Sequence, residues 1–176
     1  MPGTYQPSTI ERIGDIRSGM LVETGVLAFG TWGVAVQANL FTVHNRIILL
    51  GLWCEVVTTL TGDGCLLGFN WTSSVPVITV QPISAVGTNI HGFIRGRRIS
   101  WVGTAYNTAA AVTYAAGISY HQPDPMLLGV APTAAGVQSV SQIGCLSTTV
   151  NLTVGTAKFS CLYSPIDAGA YVEALL

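Results

Sequence analysis

Charge is what this chain has least of. Soluble domains carry roughly a quarter of their residues as Asp, Glu, Lys or Arg, and here the fraction is 9%. From Ile99 to Ala157 a single formal charge appears, Asp124. A compact monomer of this mass exposes about 8,000 Å², so the fifteen charges leave about one per 550 Å². The net charge of −1 provides no long-range field for nucleic acid or an acidic membrane. Colloidal stability asks for a net charge well away from zero. A chain this neutral, with mean hydropathy +0.53, is expected to cover its surface with copies of itself or with a larger assembly.

Other absences narrow the chemistry. The cysteines, Cys54, Cys65, Cys145 and Cys161, show no C-x-x-C spacing, and His44, His91 and His121 stand far apart, so no metal-ligand pattern is visible. There is no P-loop and no G-x-S-x-G, and Gly96-Arg97-Arg98 is not a phosphate cradle. No nucleophile, base and orienter can be named, and the chain is read as a non-enzyme without cofactor, metal or small-molecule substrate. The N-terminus lacks a basic segment followed by an apolar core, so a signal peptide is not expected. Free thiols follow, with Cys54 and Cys161 as small buried hydrophobes. Gly25–Thr42 is uncharged, but its glycines, Asn39 and the alternation at Trp32, Val34 and Val36 argue for strand and against a membrane helix.

What is present is strand pattern. Thr149–Val154 alternates with Val150, Leu152 and Val154 on one face, and Lys158–Tyr163 alternates with Phe159, Cys161 and Tyr163 on one face. The polar partners are Thr, Ser and Asn, which suit a sheet surface without adding charge. Turn residues recur at spacings that suggest an all-β sandwich or barrel. The Ala-rich piece 108–116 contains Val112, Thr113 and Tyr114 and reads as strand; Gln122–Gln138 reads as a long loop. The first 22 residues differ in kind. With Glu23 they hold five of the fifteen charges, and a capping-box spacing at Ser8–Glu11 marks a short helix or turn. The expected organisation is an extended N-terminal arm, 1–22, and a β-sandwich domain, 23–176.

Ile47–Val57 is apolar on both faces: Ile47, Leu49, Trp53 and Val57 on one, Ile48, Leu50, Leu52, Cys54 and Val56 on the other. Such a strand is covered on both sides. Two covers fit, a sister subunit or the chain's own loops, and Ile48, Leu50, Leu52, Trp53 and Glu55 are the candidate subunit interface. Glu55, a carboxylate inside this strand, is expected to pair with an arginine or to face a polar axis between subunits. The one basic cluster is Arg95, Arg97 and Arg98. It reads as a solvated turn or as a contact with an acidic protein surface, with Arg95 and Arg97 sharing a face and Arg98 pairing inward. Asn70-Trp-Thr and Asn151-Leu-Thr match the glycosylation acceptor pattern, but with no secretory signal expected they carry no weight.

The segment Tyr163-Ser-Pro165-Ile-Asp167-Ala-Gly169-Ala170-Tyr-Val172 resembles the closing segment of small head-module proteins of tailed bacteriophages, where a strand ends in Tyr-x-Pro-x-Asp-x-Gly-Ala-x-Val. Phe41-Thr-Val43 and Val56-Val-Thr-Thr59 are similar in kind, so the resemblance spans Phe41–Val172 loosely, Gln122–Gln138 apart. It implies a virion structural protein, a capsid decoration or cement protein acting as a homotrimer on the major capsid protein lattice, assembled in the host cytoplasm. The expectation is thus an antiparallel, jelly-roll-like β-sandwich. Its arm (Ile10, Arg12, Ile13, Arg17) and arginine turn (Arg95, Arg97, Arg98) contact the shell, and its partners do not include nucleic acid or membrane. A tail or baseplate protein is the rival, with a carbohydrate cleft around Trp71, Trp101 and Tyr106. A cupin-like metal enzyme would require His44, His91 and His121 to converge.

Overall fold

Two antiparallel sheets pack face to face around one apolar core. The computed structural model describes residues 19–28, 37–62, 66–74, 77–84, 88–101, 111–113, 125–132, 138–148 and 152–175. Its strands are β1 (Met20–Glu23), β2 (Leu27–Ala28), β3 (Gln37–His44), β4 (Ile47–Gly62), β5 (Leu66–Ser74), β6 (Val77–Pro82), β7 (Thr88–Asn89), β8 (Arg98–Ser100), β9 (Ala111–Thr113), β10 (Met126–Leu128), β11 (Val140–Thr148), β12 (Leu152–Pro165) and β13 (Tyr171–Ala174). The seven-stranded sheet runs β1-β12-β4-β8-β9, with β2 on β12 and β10 on β4; the six-stranded sheet runs β13-β3-β11-β5-β6, with β7 on β5. No helix occurs among the described residues, so none there is long and apolar enough to cross a membrane. The architecture is a β-sandwich.

The core forms where the inward faces meet. Phe41 and Val43 of β3, Leu67 and Phe69 of β5 and Ile143 and Cys145 of β11 face Leu52, Cys54 and Val56 of β4 and Phe159, Cys161 and Tyr163 of β12, all buried. Phe69 meets Phe159 edge to face across the two sheets, 6.4 Å between centroids, a favoured aromatic geometry. The alternation read from Lys158–Tyr163 therefore holds residue by residue.

Four sequence readings shift. In β4 the bulge residue Leu50 lies between Gly51, opposite Leu162, and Leu49, opposite Tyr163. An extra residue in one strand reverses the side-chain phase, so Ile47 and Leu49 share the core with Leu52, Cys54 and Val56. Ile48, Trp53, Glu55 and Val57 face outward, half-buried. Val154, expected on a buried face, is 61% exposed. Register breaks bracket it, and Gly155 takes φ +123° next to it. Within the stretch expected as loop, Met126–Leu128 forms β10 and pairs with Ile47–Leu49. The strand expected in 108–116 is present as β9. Met20–Val22, assigned by composition to the arm, belong to β1 and pair with Cys161–Tyr163. The turn at Ser8, the alternation at Trp32–Val36 and Val150 lie outside the described residues.

The closing segment that carries the resemblance has a structural reason at each patterned position. Tyr163, Ala170 and Val172 are buried, Pro165 ends β12, and Gly169 takes φ +73° where the chain turns toward β13. Asp167 grips Arg46 in the β3–β4 turn: Arg46 Nη2 donates to Oδ1 at 2.7 Å, Nε to Oδ2 at 2.9 Å, and the Arg46 backbone N–H to Oδ2 at 3.0 Å. These bonds hold the Asp167 carboxyl below the usual carboxylate range, partial burial opposing them. A group whose folded-state pKa is depressed stabilises above its unfolded pKa, about 4, and loses that contribution as pH falls through the folded value. Asp167→Asn is therefore expected to lower the melting midpoint at pH 7 and to flatten its decline below pH about 4. A pH series of thermal melts measures both; parallel acid limbs for the two proteins would rule out the clamp as a stabilising contact.

Candidate interaction surface

The outward face of the seven-stranded sheet gathers Ile48, Leu50, Trp53, Glu55 and Arg98 from among the sequence-predicted site residues. Glu55 of β4 lies opposite Lys158 of β12 on one side and Arg98 of β8 on the other. Arg98 donates from both Nε and Nη2 to Glu55 Oε2 at 3.1 Å, and its guanidinium lies 5.7 Å from the Trp53 ring centroid. Lys158 pairs with Glu23 of β1, whose other oxygen accepts from the buried Ser160 hydroxyl at 3.1 Å. The Lys158 hydrogen bond chiefly holds Glu23 below its ordinary pKa, with burial opposing it and smaller help from Ser160 and from the more distant Arg98 charge. Thr58 and Thr156 bridge β4 and β12 beside this row, hydroxyl to hydroxyl at 2.9 Å.

Glu55 thus has an arginine partner, and the partner is Arg98. Arg98 pairs outward rather than inward, because β8 presents Ile99 to the core and Arg98 to the opposite face. Arg95 and Arg97 lie in the turn before β8 and share no strand face. Arg97 packs its guanidinium 4.8 Å from the Phe93 ring centroid, while Arg95 is exposed. Of the proposed interface residues, Ile48, Trp53 and Glu55 stand on the outward face; Leu50 is nearly enclosed there, and Leu52, 1% exposed, belongs to the chain's own core. Ile10, Arg12, Ile13 and Arg17 lie outside the described residues.

Comparison with protein-family models, curated proteins and solved structures finds no match to this chain.

Elsewhere the described residues hold two other polar or concave features. His44 Nε2 lies 2.9 Å from Glu173 Oε1, and its ring stacks on Tyr171 with centroids 4.1 Å apart; this ties β13 to β3. A pocket of about 340 Å³ opens where Trp71 and Gln81–Ile83 of one sheet approach Met126–Leu128 of the other. Trp71 lines that pocket, but Trp101 is 2% exposed in the core and Tyr106 lies outside the described residues, so a cleft shared by Trp71 and Trp101 is not formed. His44 is on β3 and His91 in the turn after β7, and among the described residues no group of histidine, cysteine or carboxylate has metal-binding proximity. Cys54, Cys145 and Cys161 are buried and form no disulfide; burial pushes the Cys54 and Cys161 thiols up, Glu55 adding to the effect at Cys54. Asn70 is buried as well, which removes it as a glycosylation acceptor in the folded chain.

The signal missed in the sequence was the charged cluster on this face. Its members, Glu23, Glu55, Arg98 and Lys158, are spread over 136 positions and come together only through strand order.

Proposed function

We propose that the chain is a structural subunit of a bacteriophage virion, a non-catalytic capsid decoration or cement protein. In this reading it assembles with copies of itself, a trimer on the resemblance, and binds the major capsid protein lattice to stabilise the head. The observation that carries the reading is the state of its charges. Each of the four carboxylates among the described residues, Glu23, Glu55, Asp167 and Glu173, faces a cationic or histidine partner. A catalytic site keeps at least one acid or base poised for substrate, whereas a packing subunit needs a neutral exterior with its charges matched. Between the pairs the exterior shows hydroxyls and apolar side chains, including Leu21, Val77, Leu127 and Val154, each more than half exposed. The similarity of the closing segment to phage head-module proteins points to a shell, although that segment's residues serve a turn and carry the fold more than the contact.

A tail or baseplate component with a receptor- or carbohydrate-binding sandwich is the second reading, favoured by the pocket beside Trp71. Co-sedimentation with capsid shells, for the full chain and for one lacking residues 1–19, separates the two. A cement protein pellets with empty shells and loses that affinity, wholly or in part, without the arm. A stable monomer that ignores shells would overturn the proposal, and saturable sugar binding quenching Trp71 fluorescence would establish the alternative.

A further inference from the structure

At the end of the outward face away from its ion pairs, apolar side chains form a continuous track across four strands. Leu21 of β1 lies opposite Leu162 of β12, Leu162 opposite Gly51 of β4 beside Leu50, and Ile48 of β4 opposite Leu127 of β10. Their strand neighbours Val22, Cys161, Tyr163, Ile47, Leu49 and Leu128 pack into the core, so the track stands on the opposite face. From β1 to β10 it crosses three strand spacings, about 14 Å. Leu21 and Leu127, at its two ends, are 53% and 59% exposed. Glu55 and Lys158 lie four or more residues further along β4 and β12, which leaves the track itself uncharged.

The chain enters β1 from this track. Gly19, the residue before β1, has φ +45°, and a Cβ on it would stand 2.9 Å from Leu162 Cδ1 and 3.1 Å from Leu50 Cδ1. Both leucines belong to the track, so the backbone at Gly19 lies over the outward face, above β12 and β4. The residues that precede it carry Ile10, Ile13 and Ile16 at intervals of three, with Glu11, Arg12, Asp15 and Arg17 between them. Side chains three apart share one side of a helical turn. We infer that the N-terminal arm, residues 1–18, docks along this track on its own sheet, isoleucines down and charges toward water.

Reach and chemistry select this occupant. Extended chain covers about 11 Å in three residues, so Ile16 reaches Ile48 and Leu127 from Gly19. Wound as helix, the nine residues back to Ile10 still cover about 14 Å, enough to cross β10. An uncharged track loses no ion hydration when isoleucines cover it, and the charges of the arm keep theirs. A second copy's arm would compete with one already tethered over the track, and a short flexible tether sets an effective concentration of about millimolar. Ile48 and Leu50, candidates for a subunit contact, then take their cover from the chain's own arm. Of the arm residues assigned to the shell, Ile10 and Ile13 become anchors, while Arg12 and Arg17 stay outward for a partner. That division rests on the virion reading; the docking itself does not.

Trypsin cleavage after Arg12 and Arg17 of the isolated full chain, followed by mass spectrometry, tests the docking. Cleavage tracks the population of released arm, so both sites should be cut about tenfold or more slowly than in a synthetic peptide of residues 1–22. Ile13→Ser with Ile16→Ser should bring the full chain to the rate of a peptide carrying the same changes. Leu21→Glu with Leu127→Glu, at exposed positions of the track, should do so with the arm sequence intact. Circular dichroism reports folding; the isoleucine changes lie outside the described strands and decide the matter if the leucine pair does not fold. Equal rates for the wild-type chain and the peptide, or a folded variant of either kind cut as slowly as wild type, would overturn the inference. Protection that grows with protein concentration would also overturn it, assigning the track to a second copy's arm. A protected arm on a chain that ignores shells removes the virion reading alone; an unprotected arm on a chain that pellets with shells removes the docking alone.

Discussion

Phe159→Ala is expected to destabilise the protein by about 3–5 kcal/mol, a large share of the 5–15 kcal/mol typical of a whole domain. Phe159 is fully enclosed and meets Phe69 of the opposite sheet edge to face. It lies opposite Cys54 across the β12–β4 pairing, the most extensive in the fold. Truncation removes the aromatic contact and leaves a cavity between two sheets whose backbones, tied by continuous hydrogen-bond ladders, cannot collapse to fill it. Phe159→Leu keeps most of the volume and should cost about 1–2 kcal/mol. Thermal and urea melts measure both, with a midpoint loss of about 10 °C for alanine. Equal midpoints for wild type and Phe159→Ala would mean that the sheets do not pack through this pair.

Gly129→Ala carries the second large effect, about 3 kcal/mol or more. Gly129 follows β10 with φ +93°, where an L side chain is strained. A Cβ there would stand 2.1 Å from the Asn45 carbonyl oxygen and 3.0 Å from the Arg46 Cα, both backbone atoms that no rotamer change can move. Asn45 is itself held at φ 58°. Its side-chain oxygen accepts from the Ser139 N–H at 3.0 Å, its own N–H donates to the Ser139 carbonyl at 2.8 Å, and the Ser139 hydroxyl donates to the Ala131 carbonyl at 2.7 Å. Displacing one segment of this corner therefore disturbs the others, including the Arg46–Asp167 clamp. Hydrogen exchange should show faster exchange at Asn45 and Ser139 in the variant, alongside a lowered midpoint. A midpoint within about 1 °C of wild type would show that the corner has room the geometry denies.

The fold class was legible because its signal is local. Alternation at Lys158–Tyr163, the β-branched content of 108–116 and the spacing of turn residues each report a half-buried strand without any knowledge of its neighbours. The phase of β4 was not legible. A run apolar on both faces looks the same in either phase, and only the pairing of Leu49 with Tyr163 and Gly51 with Leu162 reveals that Leu50 is extra. β10 was missed for a related reason: three residues flanked by Pro125 and Gly129 carry too short a pattern to outweigh their neighbours, and pairing with β4 makes them a strand. Glu55 was legible as a residue in need of an arginine, but not the direction in which that arginine lies.

Scarcity of charge, the absence of catalytic spacings and the β-rich pattern were settled by the order of amino acids alone, since composition and period-2 alternation are properties of short windows. Which carboxylate meets which cation and which face of β4 is core were decided by tertiary structure. The physical reason is that strand order in an antiparallel sandwich brings together residues far apart in the chain, and a single bulge reverses everything that follows it. Charge is sparse along this sequence, and the fold gathers Glu23, Lys158, Glu55 and Arg98 onto one face of one sheet.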